Sequence, residues 1–183
     1  MKLTPISAAL LAAGILFSSA AFSADRMTKD AYSAEKKRIS AEYKTDMQRC
    51  KPLSRNAKDI CKAEVKGKEN AAKADAYAAY KGTSKSATKA LVAHADADYS
   101  VAKEKCDDLK GNAKDVCVKD AKAAHTRAKV DAKANQKVSE VRKDATEDKR
   151  DANYALAKER CDALAGDAKT KCVNEAKARF GRS

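Results

Sequence analysis

The chain has 183 residues and 19.7 kDa, with 39 Lys+Arg against 26 Asp+Glu and a formal net charge of +13. Hydrophobic residues reach 44%, but aromatics are only 5% and there is no Trp. Of the 159 residues from 25 onward, 17 are Leu, Ile, Val or Phe against 33 Ala; this lies below the roughly 20% that ordinary globular cores draw on and excludes a large apolar core, a parallel sheet and a buried catalytic cleft of the usual kind.

Residues 1–24, MKLTPISAALLAAGILFSSAAFSA, carry Lys2, an apolar run over Ile6–Phe17 and then small residues. This is the three-part pattern of a secretory signal peptide. The run is short for a bilayer span of about 20 residues, and no charged flank follows it to stop transfer. Nothing downstream of it is apolar enough to span. The expected mature chain is exported, periplasmic and still basic at +12, since only Lys2 is lost with the leader. Six cysteines in an oxidising compartment point to disulfides.

Those cysteines come in pairs, Cys50/Cys61, Cys106/Cys117 and Cys161/Cys172, within the cores CKPLSRNAKDIC, CDDLKGNAKDVC and CDALAGDAKTKC. A Tyr stands seven residues before each first Cys (Tyr43, Tyr99, Tyr154), and a Leu three after it (Leu53, Leu109, Leu164). Ala-Lys pairs follow at 57–58, 113–114 and 168–169. An internal repeat of about 55 residues, written three times, organises the chain.

Each core has the chemistry of a corner between two helices. Gly111 and Gly166 supply the positive φ expected just past a helix end, and Pro52 stops the helix in the first copy. Asn56, Asn112 and Asp167 are strong N-cap residues and are expected to open the next helix. In one unbroken helix, positions i and i+11 lie about 16 Å apart, whereas a disulfide needs Cα atoms within about 7 Å. A turn between them lets the two cysteines face each other across an antiparallel pair. Six cysteines allow 15 pairings; the local set Cys50–Cys61, Cys106–Cys117 and Cys161–Cys172 is the expected one. Each Tyr and Leu is expected to pack over its own disulfide.

The segments between cores are rich in Ala, Lys and acidic residues, all compatible with helix. Glu64 and Lys68, Glu69 and Lys73, Asp115 and Lys119, and Glu175 and Arg179 are spaced for pairing along a helix face. Residues 118–160 contain neither Gly nor Pro, while 62–105 is punctuated at Gly82-Thr83-Ser84. Val138, Val141, Ala145, Ala152 and Ala155 form a thin apolar stripe interrupted by Asp148. The expected fold is all-α: elongated antiparallel helical hairpins with disulfide-stapled turns, as three tandem repeats at about 27–81, 85–134 and 138–180. Two layouts fit. One has four helices at about 27–50, 57–105, 113–160 and 168–180, and is favoured; the other has three hairpins split at Gly82 and near Asn135.

No constellation points to a reaction. His94 and His125 fall at unrelated places in the repeat, without a nucleophile–base pattern, and read as exposed helical histidines. No CxxC motif or Gly-rich phosphate loop is present. Ten residues between cysteines is long for a zinc knuckle, and His94, Asp96 and Asp98 do not share one helix face, so no metal and no cofactor is expected. The positive surplus is suited to anionic partners, yet basic and acidic residues alternate and no aromatic–basic interleaving of the single-strand-binding type occurs; nucleic acid is disfavoured.

The linker AKAAHTRAKVDAKAN resembles, in composition, the helical stalk of the Tol system's envelope-spanning protein and the late-embryogenesis-abundant proteins. The leader with its Tyr-x6-Cys-x2-Leu-x7-Cys repeats resembles a class of small proteobacterial exported proteins with no known activity, so no functional residues carry over. The expected function is that of a non-enzymatic, periplasmic structural or interaction protein of the envelope: scaffold, spacer or stress-protective. Its partner would be another protein or an anionic envelope component. The alternatives are a polyanion-binding module, directed at lipopolysaccharide or nucleic acid, and thiol-based metal handling.

Overall fold

The computed structural model describes residues 26–182; the leader-like segment lies outside them. Five helices follow in order: α1 (Lys29–Cys50), α2 (Arg55–Lys81), α3 (Ser84–Cys106), α4 (Gly111–Cys161) and α5 (Gly166–Phe180). Each packs antiparallel on its neighbour in the chain, α2 against α3 most extensively. The first three helices and the start of α4 form a packed block. The rest of α4 runs out of it to a distal hairpin with α5. With 51 residues, α4 is about 75 Å long at 1.5 Å per residue, which makes the molecule elongated.

Helix boundaries follow from local chemistry. Thr28 accepts a hydrogen bond from the Ala31 amide at 3.2 Å and opens α1. Gly82 ends α2 at φ 58°, its amide bonded to the Ala78 carbonyl at 2.8 Å. Thr83 then opens α3 through a reciprocal capping box with Ser86. Gly82 therefore breaks the single helix expected over 57–105, because a left-handed residue ends one helix and the next three residues start another. No counterpart breaks α4 near Asn135. The observed layout combines the two expected ones: split at the first junction, continuous at the second.

The core is as poor as the composition requires. Ile39 is the one large aliphatic side chain among the buried described residues; the others are alanines, Gly67, the first cysteine of each pair, Ser86 and Thr88. Small side chains permit close approach instead. A Cβ added at Gly67 on α2 would stand 2.8 Å from the Ala97 Cβ on α3.

Candidate functional site

Three tips are built alike. Cys50–Cys61, Cys106–Cys117 and Cys161–Cys172 close with Cα–Cα distances of 5.6, 5.7 and 5.7 Å, and no described cysteine is free. After each first cysteine, the amide of Leu53, Leu109 or Leu164 returns to that cysteine's carbonyl. Next comes an extended residue (Ser54, Lys110, Ala165), and then one in the left-handed region: Arg55 at φ 51°, Gly111 at 55° and Gly166 at 56°.

Several expected roles are corrected here. Gly111 and Gly166 do have positive φ, but they start the following helix rather than end the preceding one. Asn56, Asn112 and Asp167 are not N-caps; they sit one residue inside helices whose caps are Ser54, Lys110 and Ala165. In the first copy the left-handed position belongs to Arg55, not to a glycine, and Pro52 lies in the turn. Leu53, Leu109 and Leu164, expected to pack over the disulfides, are 38%, 42% and 44% exposed.

The tyrosines pack two helical turns away from their disulfides, against the opposing arm. Tyr99 stacks on His125 with centroids 4.7 Å apart, Tyr154 meets Phe180 edge-on at 6.2 Å, and Tyr43 lines a groove beside Met47. The lysine of the repeated Ala-Lys pair closes two of the tips: Lys114 reaches Asp107 at 2.8 Å and Lys169 reaches Asp162 at 2.9 Å. These hydrogen bonds hold both aspartates below the usual carboxylate range. In the first copy Lys51 replaces the aspartate, and Lys58 donates to its carbonyl instead, at 3.4 Å.

Between hairpins, Asn56 Nδ2 donates to the Glu104 carbonyl at 2.8 Å, tying the start of α2 to the end of α3. Lys105 stands 3.9 Å from Glu64, and His94 Nε2 lies 2.9 Å from Asp75. His125 Nε2 meets Asp96 at 2.5 Å across the α3–α4 seam, and its side chain is only 18% exposed; it is half-buried rather than the exposed histidine expected. Of the four expected pairs along a single helix, Lys73–Glu69 forms at 2.6 Å. Lys68 turns instead to α1, at 2.5 Å from Glu42 and 2.9 Å from Asp46. Its hydrogen bonds lower the pKa of both carboxyls, and they raise its own.

Two surface features remain. A groove of about 630 Å³ runs over α2 between α1 and α3, with Tyr43, Met47, Gly67, Ala97, Asp96 and Glu104 in its walls. It is open, alanine-floored and without a nucleophile–base pair. At the other end of the block, Tyr32 stacks on Tyr80 at 4.9 Å and contacts Tyr77 at 6.2 Å. Lys36 lies over Tyr32, and Lys81 over Tyr77 and Tyr80, at 5.2–5.7 Å. These tyrosines fall outside the repeat, so periodicity could not reveal them; Tyr77 and Tyr80 stand close to Gly82 in sequence, whereas Tyr32 joins them only through the fold. Among the described residues no three His, Cys, Asp or Glu side chains gather as a metal site would need, and no helix is long and apolar enough to cross a membrane. The chain matches no protein family, no curated protein and no solved structure in comparisons with all three.

Proposed function

We propose that the chain is an exported, non-enzymatic helical protein of the periplasm that works as a spacer or scaffold in the envelope. The observation behind this is α4. It leaves the packed block with every residue from 137 to 150 exposed, then ends in a hairpin closed by its own disulfide. A 51-residue helix held at both ends by stapled tips sets a distance without a core. The leader and the paired cysteines support the compartment. The test has two parts. Osmotic-shock release of a chain lacking about its first 24 residues is expected; retention in the cytoplasm overturns the compartment. The double variant His94→Ala/His125→Ala is expected to complement a deletion strain's envelope phenotype, whereas loss of complementation with helicity intact argues for chemistry.

A second reading draws on the tyrosines under Lys36 and Lys81, since stacked rings with cations above them suit an anionic ligand. Lipopolysaccharide binding that falls steeply with salt is its expected signature. Binding that is absent, or unchanged by salt, counts against it.

A further inference from the structure

We infer that α4 is also a dimerisation element, and that its free face takes the α4 of a second copy, antiparallel, with the contacts that join α2 to α3. This is independent of the spacer reading. The repeat carries α2 onto the first half of α4 by the step from Cys61 to Cys117, and α3 onto the second half by the step from Cys106 to Cys161. Within the block those two segments fold back on each other at Gly82. In α4 they are one straight helix. Lys137 stands where Gly82 does, and Val138 and Val141 stand where Thr83 and Ser86 build the capping box. No fold-back is available, so both mating faces are left without a partner in their own chain.

Those faces are complementary in the same register as the original pair. Asp75 meets His94 within the block; the corresponding residues are Asp131 and Lys149. Glu64 faces Lys105; the corresponding residues are Asp120 and Arg160. Asn56 bonds the Glu104 carbonyl; Asn112 and Glu159 correspond. The Gly67–Ala97 approach maps to Ala123 and Ala152, both small. A Cβ at Gly67 would stand 2.8 Å from that of Ala97, so the α4 pair must sit slightly farther apart than α2 and α3 at this point. All eight corresponding residues are exposed. Two pairings of an acidic with a basic side chain, one amide–carbonyl pair and one small–small pair thus have counterparts, each split between the two halves of one helix.

The face is also apolar where it must be. Val116, Val130, Val138, Val141 and Leu156 are the exposed large hydrophobics of α4, at 48–66% exposure. At 3.6 residues per turn they fall on one stripe. That stripe lies roughly opposite the α3-facing positions Val118, Ala121, His125 and Ala132. An open groove of about 590 Å³ flanks it beside α3, lined by Ala102, Val116, Asp120 and Ala124. Antiparallel pairing puts the two-fold axis near Ser139, where Val138 of one copy meets Val141 of the other. Arg127 departs from the pattern, replacing Ala71; its aliphatic stem can lie along the seam with the guanidinium in water. The interface is isologous, so every contact occurs twice.

The test is sedimentation equilibrium of the oxidised, leader-free chain over a concentration series, with circular dichroism on each variant. A reversible dimer is expected, and a monomer throughout overturns the proposal. Asp131→Lys and Lys149→Asp are each expected to weaken the dimer at least several-fold, because each places two like-charge pairs in the interface. The double variant Asp131→Lys/Lys149→Asp is expected to recover the wild-type constant within about twofold. Unchanged single variants, or a double variant as weak as the singles, refute this register.

Discussion

The block and the distal hairpin use the same tip but not the same support. In the block, a helix leaving its tip meets a second hairpin. Asn56, Glu64 and Asp75 on α2 all have partners on α3, and α1 is tied down by Lys68. In the distal hairpin, α5 has only the last turns of α4. Its contacts include the disulfide, the Lys169–Asp162 clamp, the Tyr154–Phe180 edge and an ion pair between Arg182 and Asp151. A staple of one design therefore does different work in the two places: redundant with packing in one, dominant in the other.

Breaking the staples gives the largest contrast. In the chain-entropy treatment a loop of this size is worth about 3 kcal/mol. Cys161→Ser/Cys172→Ser is expected to melt α5, since a 15-residue helix is marginal alone in water. Cys106→Ser/Cys117→Ser is expected to lower stability by a similar amount yet leave α3 and α4 helical, because Tyr99, His125 and Asp96 still join them. Hydrogen exchange of the 166–180 amides, read against those of 84–106, separates the two. Equal loss of protection at both sites would contradict the comparison. Next in size is Gly67→Val. The added side chain would force α2 from α3, at a cost of about 2 kcal/mol, and the loss should be confined to the block in the same exchange measurement.

How much of this the residues disclosed depends on whether a feature is local. The disulfides and the helical segments were readable because spacing and turn chemistry act within a few residues; Gly82 is a punctuation point in the sequence, but the favoured layout runs a helix through it. The helix starts were missed because Asn and Asp are good caps in isolation, while the left-handed residue at 55, 111 or 166 decides where the chain turns. Lys68 was expected to pair with Glu64 along its own helix, but two carboxylates on α1 outcompete one. His125 looked exposed because its shelter, Tyr99 and Asp96, comes from another helix.

Backbone strain separates the tips at a smaller scale. An added methyl at Gly111 meets no atom within 4 Å, so Gly111→Ala tests φ alone and should cost about 1 kcal/mol. Arg55 already bears that cost at φ 51°. Arg55→Gly should therefore raise the block's thermal midpoint, while Gly111→Ala lowers it. Opposite signs from two substitutions at one repeat position are the expected result of differential scanning calorimetry.

The smallest effect concerns the lysine clamps, and its sign follows from the shifted groups. Lys114 and Lys169 lower the pKa of Asp107 and Asp162 in the folded chain. Their contribution is complete above the ordinary carboxylate pKa and is lost as pH falls through the lowered folded value, below about pH 4. Lys114 is itself raised by Asp107, so the same pair also weakens as pH climbs above about 10.4. Both partners of each clamp are nearly half exposed, so salt screens them. Asp162→Asn should lower the distal hairpin's stability slightly at pH 7 and by progressively less as pH falls below about 4, with the pH 7 difference shrinking in 1 M salt. The first tip offers the control, since Lys51 stands in place of the aspartate there. Lys58→Met, which removes only a bond to a neutral carbonyl, should show no such acid dependence. If it did, the clamps would not be the source.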